Sequence, residues 1–196
     1  MIPTLPLRPR NRLAEVILRA VDRGDARRTL SALATGRLAA EEWLGPDAAS
    51  QAPLLKRRAQ RAIQALRKLG SRSEDSTIAG ALRVAAALFD AGLGFEVHEL
   101  LETHWTRASG DERVALQGLI QIAVGYQHRA NGNLKGARAL LEEGSARLSG
   151  RRLADLDLTP FARAVAASIS RLERQAAIPR FPRRRRTTSV RHAEAH

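Results

Sequence analysis

The stretch FEVHELLETHWTRASGDERVALQGLIQIAVGYQHR, residues 95–129, decides how the rest of the chain is read. Its large apolar side chains recur at helical rather than strand intervals. The spacing predicts one helix from Phe95 to Arg107 and a short turn at Ser109-Gly110-Asp111. Asp111 is the expected N-cap of a longer apolar helix through Arg129. A turn this short lets the two helices pack only antiparallel. The fold class that follows is all-α, a small helical bundle built around a central antiparallel hairpin.

Working outward from the hairpin, the same periodicity continues and no useful strand-like alternation appears. Towards the N-terminus, Ile78, Leu82, Ala85 and Phe89 mark a helix that stops at Asp90-Ala91-Gly92. Before it, Gly70 to Ser76 reads as a polar linker. Further back, Leu55, Ala59, Ala62, Ile63 and Leu66 form the apolar stripe of a basic helix with Pro53 in its first turn. Trp43 to Ser50 reads as a loop. Short helices are expected around Leu13–Ala20 and Leu30–Ala34. Towards the C-terminus, Asn131-Gly132-Asn133 ends the hairpin, Leu134–Leu148 is helical, and Thr159-Pro160 opens a last helix carrying Phe161, Val165, Ile169 and Leu172. The organisation expected is an N-terminal helical extension (1–70), a bundle core (71–177) and a disordered, Arg-rich tail (178–196) with nothing to bury.

Composition narrows the function classes. The chain has no cysteine, so disulfides, a thiol nucleophile and thiolate metal sites are excluded. No apolar run approaches the ~18 residues that cross a bilayer. The first twelve residues contain Pro3 and Pro6 and lack a signal-peptide h-region, so the expected location is cytoplasmic with no membrane partner. The net charge of +13 is uneven. Residues 1–92 hold 16 basic and 9 acidic side chains, residues 93–177 hold 11 and 10, and residues 178–196 hold 6 and 1. The excess therefore sits at the two ends. Weak, non-specific nucleic-acid contact is accordingly expected through 54–69 and 180–191. The ordinary alternative for the basic helix is a solvated amphipathic face. Phe181 is the only aromatic near Arg183–Arg186, which argues against a single-strand binder with stacking platforms.

The hairpin holds the chemically informative residues. At about 100° per residue, His98 and Glu102 fall inside the stripe made by Phe95, Leu101 and Trp105, with Glu99 on its border. On the second helix Gln117, Gln121 and His128 share one row. Because the helices are antiparallel, the two polar rows are expected to face each other. Ionisable groups are rarely buried without partners, so this pattern has a reason. One reading is a satisfied structural network, with His98 bonded to Glu102, His128 to a helix carbonyl and Gln121 bridging. Another is a divalent-metal site formed by His98, Glu102 and His128, since imidazole and carboxylate one turn apart can converge on an ion. A third is acid–base chemistry on a bound small molecule, with Glu99 and Glu102 as the candidate catalytic carboxylates. Known motifs help by exclusion. His98-Glu99-Leu100-Leu101-Glu102 has the shape of the metalloprotease helix, but Glu stands where the second His belongs, and His104 is out of register. There is no Glu-x-x-His pair of the di-iron kind. Trp43 and Trp105 are expected as core aromatics, and Glu96 as an acid favoured in the first helical turn.

Leu88-Phe89-Asp90-Ala91-Gly92, followed by Phe95-Glu96-Val97-His98-Glu99-Leu100-Leu101-Glu102-Thr103-His104-Trp105, resembles the signature of domain-of-unknown-function family 309. The second half, Gln117-Gly118-Leu119-Ile120-Gln121, His128, Gly132-Asn133 and Gly136-Ala137, resembles it too, over roughly residues 78–148. Gly94-Phe95 replaces the usual second aromatic. The resemblance implies a small helical bundle and a shared cluster at Glu96, His98, Glu99, Glu102, Trp105, Gln121 and His128. It implies no activity. The functional expectation is a metal- or small-ligand-binding bundle, possible hydrolytic or acid–base chemistry included. The competing class is a non-catalytic interaction module whose basic ends contact nucleic acid or an acidic partner.

Overall fold

The computed structural model describes residues 4–69, 76–174 and 177–183. Within them nine α-helices follow one another: α1 (Leu7–Arg19), α2 (Gly24–Thr35), α3 (Ala40–Leu44), α4 (Ala52–Leu69), α5 (Ile78–Asp90), α6 (Gly94–Trp105), α7 (Gly110–Ala130), α8 (Leu134–Leu148) and α9 (Thr159–Ile169). The all-α expectation holds, with local differences. Trp43–Ser50 is not a loop, because α3 ends at Leu44 and a 3₁₀ helix, Pro46–Gln51, leads into α4 with Pro46 at its start. Asp111 lies inside the first turn of α7, and Ser109 holds the N-cap position without a side-chain cap. Two-residue strands β1 (Arg152–Leu153) and β2 (Leu156–Asp157) pair antiparallel between α8 and α9. The proposed linker falls largely on residues 70–75, outside the described residues. After it, Thr77 caps α5, its Oγ1 accepting from the Gly80 N–H at 3.2 Å.

α7 is the central helix, packed between α6 and α8. Two glycine positions explain how closely. A Cβ on Gly94, at the start of α6, would sit 2.5 Å from the Ala123 carbonyl oxygen near the end of α7. At the other end of α6, the Arg113 Nη1 donates to the Trp105 carbonyl at 2.8 Å. The start of one helix meets the end of the other, so the hairpin is antiparallel as expected. Between α7 and α8, a Cβ on Gly118 would meet the Gly144 carbonyl at 3.0 Å, and the reciprocal contact is 2.9 Å. Backbone lies on backbone there, and only glycine fits.

One contiguous apolar core runs from Leu5 to Phe181. α1 packs on α6 and α4 on α5, so the division at residue 70 marks the limit of the family resemblance, not of the packing. At the near end of the expected tail one short segment is docked, which the expectation of a tail with nothing to bury did not include. Phe181 is 1 % exposed and packs against Phe89 and Phe161, with ring centroids 5.2 Å and 5.7 Å away. Its N–H donates to Asp90 Oδ1 at 3.2 Å, and Arg183 pairs with the same carboxylate. A lone aromatic among prolines and arginines gave no periodicity to read, yet an open end of the core accepts it. The rest of the tail, with Arg184–Arg186, is outside the described residues. Tyr126 completes the aromatic cluster, edge-on to Phe89. Burial pushes its phenol above the ordinary value, against the lowering effects of the 2.7 Å bond to Ser168 and the charge of Arg129. No helix among the described residues is long and apolar enough to cross a membrane.

Candidate functional site

α6 presents two different sets of charged groups, one inside the protein and one at its surface. Gly92, at φ 73°, turns the chain after α5, and Gly94 then lets α6 start in contact with α7. With the helix so fixed, Glu96 points into the core and is 0 % exposed. Its partner is Arg58 from α4, whose Nη2 lies 2.8 Å from both carboxylate oxygens. Glu96 is in the first turn as expected, but a buried ion pair holds it there as well as the helix dipole. Sequence reasoning passed over Arg58. The signal was present: on the wheel of α4, Arg58 falls between the buried Ala62 and Ala65, while Lys56 and Arg67 fall on the opposite side and the other cations of the helix about 60–100° away.

The surface set is His98, Glu99 and Glu102, whose ligand atoms lie within 4.8 Å of one another. His98 Nδ1 is 3.0 Å from Glu99 Oε1, and His98 Nε2 is 3.8 Å from Glu102 Oε2. The side chains are partly open to water, 28 % for His98 and 49 % for Glu102, so this cluster is not buried as the apolar stripe suggested. Beside it the Phe95 ring lies 6.1 Å from the imidazole, and the Arg10 guanidinium of α1 sits 4.2 Å over that ring. Trp105, one turn beyond Glu102, is half-buried against the core. The Arg113 guanidinium stacks 3.7 Å above its ring, and the buried indole Nε1 has no hydrogen-bond partner among the described residues.

The second polar row does not face the first. Gln121 is turned to α8, where it donates to Glu143 Oε2 at 2.7 Å and accepts from Arg147 Nε at 2.9 Å. It bridges nothing on α6. His128 also belongs to the α8 side. Its Nδ1 lies 2.9 Å from the Asn133 amide nitrogen, and Asn133 Oδ1 accepts the Gly136 N–H at 2.9 Å. Asn133 is thus the N-cap of α8. Because its oxygen is engaged, its NH₂ must donate to His128, which fixes the neutral imidazole proton on Nε2. His128 orients a helix cap and is not among the groups gathered at His98. Gln117 is half-buried on the same helix and is likewise outside that group. The physical reason is simple: a helical wheel says which residues share a face, but not which of two neighbouring helices that face meets.

The described geometry therefore offers an imidazole between two carboxylates on one exposed helical turn. Glu99, bonded to Nδ1, holds the ring, and Nε2 faces Glu102 across a gap. Such an arrangement can take a cation between nitrogen and oxygen, or pass a proton between them. Residues 82–140, from within α5 to within α8, match the family model of a domain of unknown function, DUF309. The stretch includes the whole of α6 and α7, and it bears out the resemblance drawn from the motifs. No curated protein and no solved structure matches the chain.

Proposed function

We propose that α6 carries a divalent-cation site formed by His98 Nε2 and the Glu102 carboxylate, with Glu99 orienting the imidazole and serving as a third ligand when it rotates. One observation carries this reading. His98 Nδ1 is engaged by Glu99 while Nε2 stands 3.8 Å from Glu102 Oε2. If the ring is neutral with its proton on Nδ1, a nitrogen lone pair faces a carboxylate, which is repulsive unless a positive charge lies between. Two donors bound at about 2.0–2.1 Å to a tetrahedral ion are separated by roughly 3.3 Å, so a shift of about half an ångström in the exposed Glu102 closes the site. Imidazole with carboxylates suits zinc, manganese or iron(II) rather than calcium. A carboxylate hydrogen-bonded to the non-ligating nitrogen is the usual support of a metal-binding histidine. Two or three protein donors leave coordination positions open to water and a small ligand. Glu99 and Glu102 remain the carboxylates for acid–base or hydrolytic chemistry on it. His128 has no part in this site.

The test is thermal melting and calorimetry of untagged, chelator-treated protein with zinc or manganese. At metal a hundredfold above the dissociation constant, stabilisation should be about 2.7 kcal/mol. His98→Ala and Glu102→Ala should abolish that gain while barely changing the metal-free melt, because exposed pairs contribute only about 0–1 kcal/mol. His128→Ala should keep the gain. A melt indifferent to metal in the native chain would reject the reading.

A further inference from the structure

The two basic segments, 54–69 and 180–191, are far apart in sequence, yet their described parts both lie against the α5–α6 turn. The Arg61 guanidinium of α4 lies over the α5–α6 turn, its Nη1 3.7 Å from where a Cβ on Gly92 would sit. Two residues earlier, Asp90 accepts the Phe181 N–H and pairs with Arg183. Arg180, next to Phe181, is exposed. The C-terminal segment therefore passes the same turn that α4 overlies.

The exposed residues of α4 between 56 and 68 are five cations, Lys56, Arg57, Arg61, Arg67 and Lys68, and two glutamines. At about 100° per residue they occupy an arc of about 140°, and they span about 18 Å along the axis. The helix contains no acidic residue at all. In α1 and α8, by contrast, exposed arginines have carboxylates on the same helix, as Arg12 and Arg19 have Glu15 and Arg138 has Glu142. Part of the α4 charge has a local use. Lys56 lies beside Gly36 at the end of α2, and Arg61 lies at the end of α5, where cations complement helix dipoles. That leaves Arg57, Arg67 and Lys68, and the like-charge pair Arg57/Arg61 one turn apart disfavours the helix. A row of cations with no acidic partner among the described residues is suited to an external polyanion.

We propose that the exposed face of α4, together with Arg180 beside the Asp90–Gly92 turn, is one continuous surface for the phosphodiester backbone of a nucleic acid. Four of the six cations are arginine, whose guanidinium fork matches phosphate oxygens. A row of cations repeating at each helical turn fits a chain of regularly spaced charges. An anionic membrane is disfavoured because the apolar side of α4, Leu55, Ala59, Ala62, Ile63 and Leu66, is buried in the core and offers nothing to insert. No aromatic lies among these residues, so contact is with the backbone and does not read sequence.

Fluorescence anisotropy of the full chain with a labelled mixed-sequence oligonucleotide, single-stranded and duplex, tests this between about 50 and 200 mM salt. Affinity should fall steeply with salt and be the same for unrelated sequences. Arg57→Gln with Arg61→Gln and Lys68→Gln should reduce the slope of log affinity against log salt by about 0.7–0.9 for each phosphate that is no longer neutralised. Adding Arg180→Gln should reduce it further, and Arg138→Gln, on α8, should not. Circular dichroism melts of the same variants establish that they fold. Retained affinity and slope in the folded triple variant would overturn the proposal. So would no binding to either oligonucleotide alongside tight binding to vesicles rich in phosphatidylserine.

Discussion

The Arg58–Glu96 pair shows how much depends on one side chain. Glu96 is fully enclosed and Arg58 is 17 % exposed, so neither can turn to water if the other is lost. A single Arg58 nitrogen serves both carboxylate oxygens, and the buried Arg58 Nε has no hydrogen-bond partner among the described residues. The pair is thus incompletely satisfied, and its value lies in fixing α4 against α6 more than in net stability. Glu96→Ala should lower the unfolding free energy by about 3–5 kcal/mol in urea titrations, because it strands a buried guanidinium. Arg58→Met with Glu96→Leu should recover much of that loss, since the two charges are then removed together. Equal losses in the single and double variants would mean that packing around the pair, not its charge, is what matters. Glu96 is only two residues from His98. Metal titrations should therefore be run on the folded double variant too, which separates the fixing of α6 from the chemistry on its outer face.

At the scale of elements, the α6–α7–α8 layer is set by glycines that admit a neighbouring backbone. Gly94→Ala and Gly118→Ala should each destabilise by about 1–3 kcal/mol, as overpacking does, because the obstructing atoms include carbonyl oxygens that cannot swing away. Gly24→Ala, in α2, meets only the end of Arg28 at 3.7 Å and should be neutral or stabilising by about 0.4–1 kcal/mol. Paired chemical-denaturation curves decide the matter, and similar effects at all three positions would contradict the close-packing account. These elements also show what a sequence can and cannot disclose. Apolar periodicity sufficed for the longer helices, the hairpin and the proximity of His98 to Glu102, since those depend on residues one turn apart, but not for the five-residue α3, which is too short to repeat. It did not reveal that Gln121 and His128 turn to α8, because a wheel records direction around one axis and not the identity of the neighbour. Glu96 was legible as a first-turn acid. Its arginine, 38 positions upstream and outside the family resemblance, was hidden among other basic residues of α4. The exposure of the His98 turn was also unreadable, for the neighbouring Phe95 and Trp105 are themselves only partly covered.

At the scale of the whole molecule, segments beyond both ends of the family-like stretch complete its core. α1 and α4 pack on α6 and α5 from one end of the chain, and Phe181 closes the aromatic cluster of Phe89, Phe161 and Tyr126 from the other. A C-terminal segment that buried nothing would be removable without effect, as its composition suggests. A ring 1 % exposed, with its own N–H bonded to Asp90, predicts the opposite. Phe181→Ala leaves a cavity against the rings of Phe89 and Phe161 and should cost about 3–5 kcal/mol. For a chain of this size about 1 kcal/mol moves the melting temperature by roughly 2–4 °C, so the expected fall is on the order of 6–20 °C. Phe181→Leu should lose less, because it keeps most of the apolar volume, and Asp90→Asn should weaken the attachment by removing the charge that holds Arg183. The near-ultraviolet signal of Tyr126 reports the same cluster, since it is the only tyrosine in the chain and touches Phe89 edge-on. A melting temperature and tyrosine signal unchanged in Phe181→Ala would mean that the segment does not dock in solution. The continuous basic surface beside the Asp90–Gly92 turn would then lose the contribution of Arg180, whereas the cation site on α6 would stand or fall on its own titrations.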